Sequence, residues 1–137
     1  MKYWLIKTEP EDWSWSQQIE SGNKGAEWNG VRNFQASKNL KKMNIGDKCF
    51  FYHTGSEKSI VGIAEVIKDA FLDKSDTTKK FVSVKIKALY PLKQQVTLHE
   101  IKKNKLFRDF SLVKQSRLSV MSVDLKYWKK ICKMGKV

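Results

Sequence analysis

Cysteine, histidine and proline each occur only twice in this 137-residue chain, and arginine only three times. Cys49 and Cys132 lie far apart, and neither has a Cys or His neighbour at ligand spacing. A zinc ribbon and a dithiol redox motif are therefore poor fits, no metal is implied, and a reducing, intracellular setting is favoured. Charge interrupts every apolar stretch before it reaches membrane-spanning length. The opening run Met1-Lys-Tyr-Trp-Leu-Ile-Lys7 is cut by Lys7 and Glu9 too soon for a secretory signal, so a cytoplasmic location is expected, with no membrane partner. Enzyme signatures are also missing. There is no phosphate-binding loop, no Gly-x-Gly-x-x-Gly after the first strand and no Gly-x-Ser-x-Gly elbow, and no cofactor is implied. A histidine relay would have only His53 and His99 to draw on, and His99 reads as a surface residue. An enzymatic alternative would have to rest on His53, Glu9 and Tyr52.

What is present is a single domain's worth of core over residues 1–137, with 41% hydrophobic and 12% aromatic residues, five of them Trp. The net charge of +13 points to a polyanionic partner. Its make-up qualifies that reading, because 24 of the 27 basic residues are Lys, a poorer bidentate reader of phosphates and base edges than Arg. Its distribution is uneven as well. Residues 1–68 carry 10 basic and 8 acidic side chains, residues 69–137 carry 17 and 6.

The pattern predicts a strand over Tyr3–Thr8, ended by Glu9-Pro10. A helical turn with Trp15 and Ile19 on its inner side follows, then a loop through Ser21–Gly25 that continues into Trp28. Asn33 is expected to cap a helix over about Phe34–Met43, with Phe34 or Ala36, Leu40 and Met43 inward. Lys48–His53 reads as a strand buried on both faces. Further strands are expected over Ile60–Ile67 and Phe81–Tyr90, the latter with Ser83, Lys85 and Lys87 on a solvated face. Beyond Pro91 short helices are expected, one opened by a Thr97/Glu100 capping box. A last helix over Val123–Met134 should bury Leu125, Trp128 and Cys132 or Ile131. Together these elements predict one α+β domain built on a small, curled mixed sheet.

The densest cluster of chemistry is Trp28-Asn-Gly-Val-Arg-Asn33. Trp28 is either a core plug or a flat platform for an unstacked base, a contact worth about 1–3 kcal/mol. Beside it Asn29 and the Gly30 backbone can read a base edge, and Arg32 with the helix start at Asn33 can meet a phosphate. Trp4 and Trp128 read as core. Trp13 and Trp15, two residues apart, point in different directions, so one is expected to be exposed or to line a groove. An exposed indole there also leaves open a protein-interaction module. Arg117-Leu-Ser-Val120 reads as a short edge strand with either a solvated or a phosphate-facing Arg117, and the lysines of the last helix as a solvated face or a phosphate track.

Five segments occur together and in order: Tyr3–Pro10, Trp28–Ala36, Gly46-Asp47 with Phe50–His53, Val61–Val66 and Arg117–Val120. In this the chain resembles the EVE-domain proteins along essentially its whole length. The resemblance implies a PUA-like fold, a curled mixed β-barrel flanked by short helices and related to the YTH domains that read methylated adenine in RNA. It implies a non-catalytic reader that flips a modified base, foremost modified cytosine in DNA rather than RNA, into an aromatic cage. Carried onto this sequence, it puts Trp28, Thr8, Glu9, Asn29 and Gly30 at the base, with Tyr52, His53 and Ser119 at the rim and Phe71 as a second cage aromatic. Lys7, Arg32, Asn33 and Arg117 would lie near phosphates. Two positions depart from the usual family pattern: Asn29 stands where Asp is common, and Thr8 where Ser is.

Overall fold

The computed structural model describes residues 1–137. Its centre is the strand the sequence marks as apolar on both faces. β3 (Lys48–His53) is buried from Cys49 onward and lies between β1 (Tyr3–Thr8), which it pairs in parallel, and β4 (Ser59–Leu72), which it pairs antiparallel. β5 (Val82–Thr97) follows β4, β2 (Ala26–Trp28) closes one edge and β6 (Val120–Ser122) the other, in the order β2-β5-β4-β3-β1-β6. The mixed six-stranded sheet curls into a half-barrel flanked by short helices. Repeated register shifts along the β4–β5 pair supply the bending, since each extra residue kinks the strand that carries it.

Five helices complete the fold: α1 (Trp15–Glu20), α2 (Phe34–Lys41), α3 (Leu98–Lys103), α4 (Ser111–Lys114) and α5 (Leu125–Met134). Three begin as their residues dictate. The Asn33 side chain accepts from the Ala36 amide, and capping boxes at Ser14/Gln17 and Thr97/Glu100 start α1 and α3. Asp47, buried in the turn before β3, accepts from the Lys2 amide, the Asn44 amide and the Trp4 indole at 2.9–3.1 Å, which ties that turn to β1. On the far side of the sheet Trp128 of α5 stacks on Phe50 at 3.9 Å between ring centroids.

The structure corrects several expectations. β5 does not stop at Pro91 but runs on to Thr97. Pro91 sits opposite Gly62 at a register shift, beyond the reach of β2, where a missing ladder donor is tolerated. Of the two alternatives at the start of α2, Ala36 is the buried one and Phe34 is exposed, and Ser37 turns inward with Leu40. In α1 the inner partner of Trp15 is Gln18, whose amide hydrogen-bonds the Ile86 carbonyl, while Ile19 faces water. Ser83 is buried rather than solvated. Leu125 is exposed, and α5 buries Tyr127, Trp128 and Ile131.

Gly62 shows how tightly α1 meets the sheet, because a Cβ there would lie 2.4 Å from the Trp15 ring. Overpacking of that kind costs about 1–3 kcal/mol. Gly62→Ala is expected to lower the unfolding free energy in urea by that amount, and a Trp15→Leu background should remove most of the penalty.

Candidate functional site

One cavity of about 880 Å³ opens where the ends of β1 and β2 meet the start of α2. β1 and the turn after it supply Lys7, Thr8, Glu9, Asp12 and Trp13. β2 and the loop after it supply Ala26–Asn33, and Ser119 comes from just before β6. Nine of the residues singled out from the sequence therefore meet here: Lys7, Thr8, Glu9, Trp28, Asn29, Gly30, Arg32, Asn33 and Ser119.

Trp28 is packed as a core residue and also faces the cavity. It packs edge-on against Phe51 with centroids 5.5 Å apart and is only 8% exposed, yet it also lines the cavity. A second indole lies in the wall. Trp13 is half-buried, and its Nε1–H donates to Gln18 Oε1 at 2.8 Å, so buried Gln18 links the Trp13 ring to β5. The Thr8 hydroxyl donates to the Trp13 carbonyl at 2.8 Å and fixes the turn. Glu9 accepts from Thr54 Oγ1 at 3.0 Å, and its carboxyl is raised above the usual range mainly by its hydrogen-bonded neighbour Glu11. Lys7 reaches the Ser116 carbonyl at 2.9 Å, and partial burial lowers its pKa.

The loop that carries Asn29 and Gly30 is held from behind by Asp73, a residue the sequence reading passed over. Its side chain is wholly buried and accepts from the Gly30 amide at 2.8 Å, Arg32 at 3.0 Å, and the Ser75 amide and hydroxyl at 2.8 and 2.6 Å. Arg32 also donates to Ser75 Oγ at 3.1 Å and lies 5.3 Å from the Phe81 ring centroid. Burial alone would push the Asp73 carboxyl up. The bonds from Ser75, Gly30 and Arg32 outweigh that and hold it down at about 2. The Asp73-Lys-Ser-Asp-Thr stretch carries no local signal of this role, because Gly30 and Arg32 lie some forty positions away in sequence.

Four predicted residues lie outside this cavity. Phe71 sits under the Lys68 ammonium at 4.4 Å and does not line it, so the second aromatic of the wall is Trp13. Tyr52 is buried below Lys7, where desolvation pushes its hydroxyl up to about 12. His53 is buried with both ring nitrogens occupied: Nε2 accepts from the Trp15 amide at 3.0 Å, which leaves Nδ1 to donate to Glu57. The polar set His53, Glu9 and Tyr52 is not assembled at the cavity, since only Glu9 lines it. Arg117 lines an adjoining groove of about 350 Å³ that shares Asn33 with the main cavity and also holds Gln35, Lys114 and Gln115.

Comparison with known proteins places this architecture. The EVE domain model matches residues 2–134. The chain belongs to the EVE domain family. The chain is similar to Rpa0253 from Rhodopseudomonas palustris, whose solved structure is 48% identical, covers 99% of this chain and 94% of its own, and superposes with a TM-score of 0.94. Human THYN1 protein, in a crystal structure with 5-methylcytosine-containing DNA, shares the fold at 22% identity and a TM-score of 0.93, over 100% of this chain and 99% of its own. Thymocyte nuclear protein 1 of Danio rerio is 29% identical over 85% of this chain, which spans only 64% of that relative's length.

In this EVE domain the cavity wall carries three carboxylates, Glu9, Asp12 and Glu27, against two cations, Lys7 and Arg32. The large positive charge of the chain therefore lies mostly elsewhere. Because the folded Asp73 carboxyl titrates below its unfolded value near 4, its stabilisation is complete above pH 4 and is lost as pH falls toward about 2. Urea unfolding followed between pH 5 and pH 2 should show a shallower loss of stability for Asp73→Asn than for the wild type. Parallel curves would mean that the carboxylate does not hold the loop.

Proposed function

We propose that this EVE domain is a non-catalytic nucleic-acid reader that holds one modified base, taken out of the stack, in the 880 Å³ cavity. The observation that carries this reading is the presence of two separately anchored indoles, Trp13 and Trp28, in the lining of one cavity together with Asn29. Base flipping costs a few kcal/mol, which stacking on such rings and phosphate contacts can offset. The carboxylates of Glu9, Asp12 and Glu27 suit a base edge that donates through an exocyclic amine, as cytosine and adenine do and thymine does not. The human THYN1 complex with 5-methylcytosine DNA, a shared fold, supports modified cytosine in DNA as the first ligand to test. Asn29 can donate as well as accept, where the Asp usual in the family would only accept.

The backbone of the strand belongs beside the cavity. Lys7 stands at its edge, and Arg117 in the adjoining groove enters none of the five ion pairs of the protein. Arg32, whose guanidinium is committed to Asp73 and Ser75, serves chiefly to hold the loop that Asn33 continues into α2.

Trp13 is the cleaner probe, since truncating Trp28 also removes its contact with Phe51. With a 5-methylcytosine oligonucleotide followed by fluorescence anisotropy, Trp13→Ala should weaken binding about fivefold to a hundredfold with the far-ultraviolet spectrum unchanged. Arg117→Ala should reduce the slope of log affinity against log salt by about one. An unchanged dissociation constant for Trp13→Ala would sink the pocket, and altered or released bases detected by mass spectrometry would favour the enzymatic alternative.

A further inference from the structure

Phe34 is out of place by the ordinary logic of a helix start. It is 69% exposed, more than any other aromatic side chain, although neighbouring Val31 and Ala36 are buried. Its ring is nonetheless fixed in direction. It lies 5.0 Å from buried Phe81 at an interplanar angle of 31°, and the Arg32 guanidinium lies 5.3 Å from the same Phe81 ring. The loop clamped by Asp73 thus positions this ring as well as the cavity wall.

In the chain Phe34 directly follows Asn33, which lines both the main cavity and the adjoining groove, while the Phe34 ring itself stands outside both linings. Arg32 and Asn33 border the main cavity, while Asn33 and Gln35 border the groove that contains Arg117. We propose that Phe34 is a second base platform, which stacks on the nucleobase adjoining the one held in the cavity. The Phe34 Cα is about 3.8 Å from that of Asn33 in the cavity lining, which keeps a base on its ring within the neighbourhood of the one held in the cavity. A flat ring held by its neighbours before the ligand arrives loses little freedom on binding, and any base offers it a π face. The ring therefore adds affinity without adding sequence preference, and in a duplex it stands where a side chain can fill the gap left by the extruded base. This inference rests on the reader function proposed above.

The test uses the full chain and a 5-methylcytosine oligonucleotide made in two forms, with the adjoining nucleotides intact or abasic. Phe34→Ala should weaken binding to the intact form about fivefold to a hundredfold, and Phe34→Tyr should restore it. With the abasic form the difference between wild type and Phe34→Ala should vanish, whereas Trp13→Ala should still weaken binding. If the wild type binds and Phe34→Ala binds equally well, the platform is refuted and the cavity reading survives. If neither form binds to the wild type, both readings fall. A wild type that self-associates, and becomes monomeric on Phe34→Ala with unchanged oligonucleotide affinity, would reassign the ring to a protein contact.

Discussion

A single buried carboxylate organises the functional end of this molecule. Asp73 lies just beyond the end of β4, but its hydrogen bonds go to Gly30, Arg32 and Ser75. A loop with left-handed backbone at Gly30 has few contacts of its own. Left unanchored, Asn29 and Gly30 would sample many positions, and ordering them on binding would cost affinity. A charged acceptor without water to solvate it must have every lone pair met, which is why the carboxylate holds the amide, the guanidinium and the hydroxyl together. The same loop carries Arg32 to Phe81 and leads into the cap at Asn33. Cavity wall, groove and exposed ring thus share one anchor.

The second anchor, Gln18, does the same for Trp13. Its oxygen takes the indole proton, and its nitrogen donates to β5. Both devices place a polar group in the interior where all of its partners are present, so that two exposed parts of the wall inherit the rigidity of the sheet. The electrostatics divide the labour further. A chain of net charge +13 has a cavity with more carboxylates than cations, so under the proposed function long-range attraction for a polyanion and discrimination at the base would belong to different surfaces.

Elements set by local chemistry were legible before any coordinates. The strand limits of Tyr3–Thr8 and Lys48–His53, the Asn33 cap and the Thr97/Glu100 box all follow from neighbours in sequence. So did most of the cavity, because Trp28–Asn33 is contiguous and the EVE resemblance added the end of β1. What was hidden depends on distant partners. Asp73 gave no sign of its tie to Gly30. Gln18, a polar residue at a core position, makes sense only once the Ile86 carbonyl is above it. The EVE resemblance puts Phe71 in the cage and His53 at the rim, but Phe71 lies under Lys68 and His53 is held between the Trp15 amide and Glu57. The course of β5 past Pro91 depends on a register shift, which is a property of two strands together.

The proposed reader function requires Trp13 and Trp28 to contact a modified base. Indole resonances in a titration with matched methylated and unmethylated oligonucleotides test it most directly, since the five Trp side chains report from different places. The Trp13 and Trp28 signals should shift with the methylated strand while those of Trp4 and Trp128, buried away from the cavity, stay in place. Shifts confined to other indoles, or an equal response to both oligonucleotides, would contradict it.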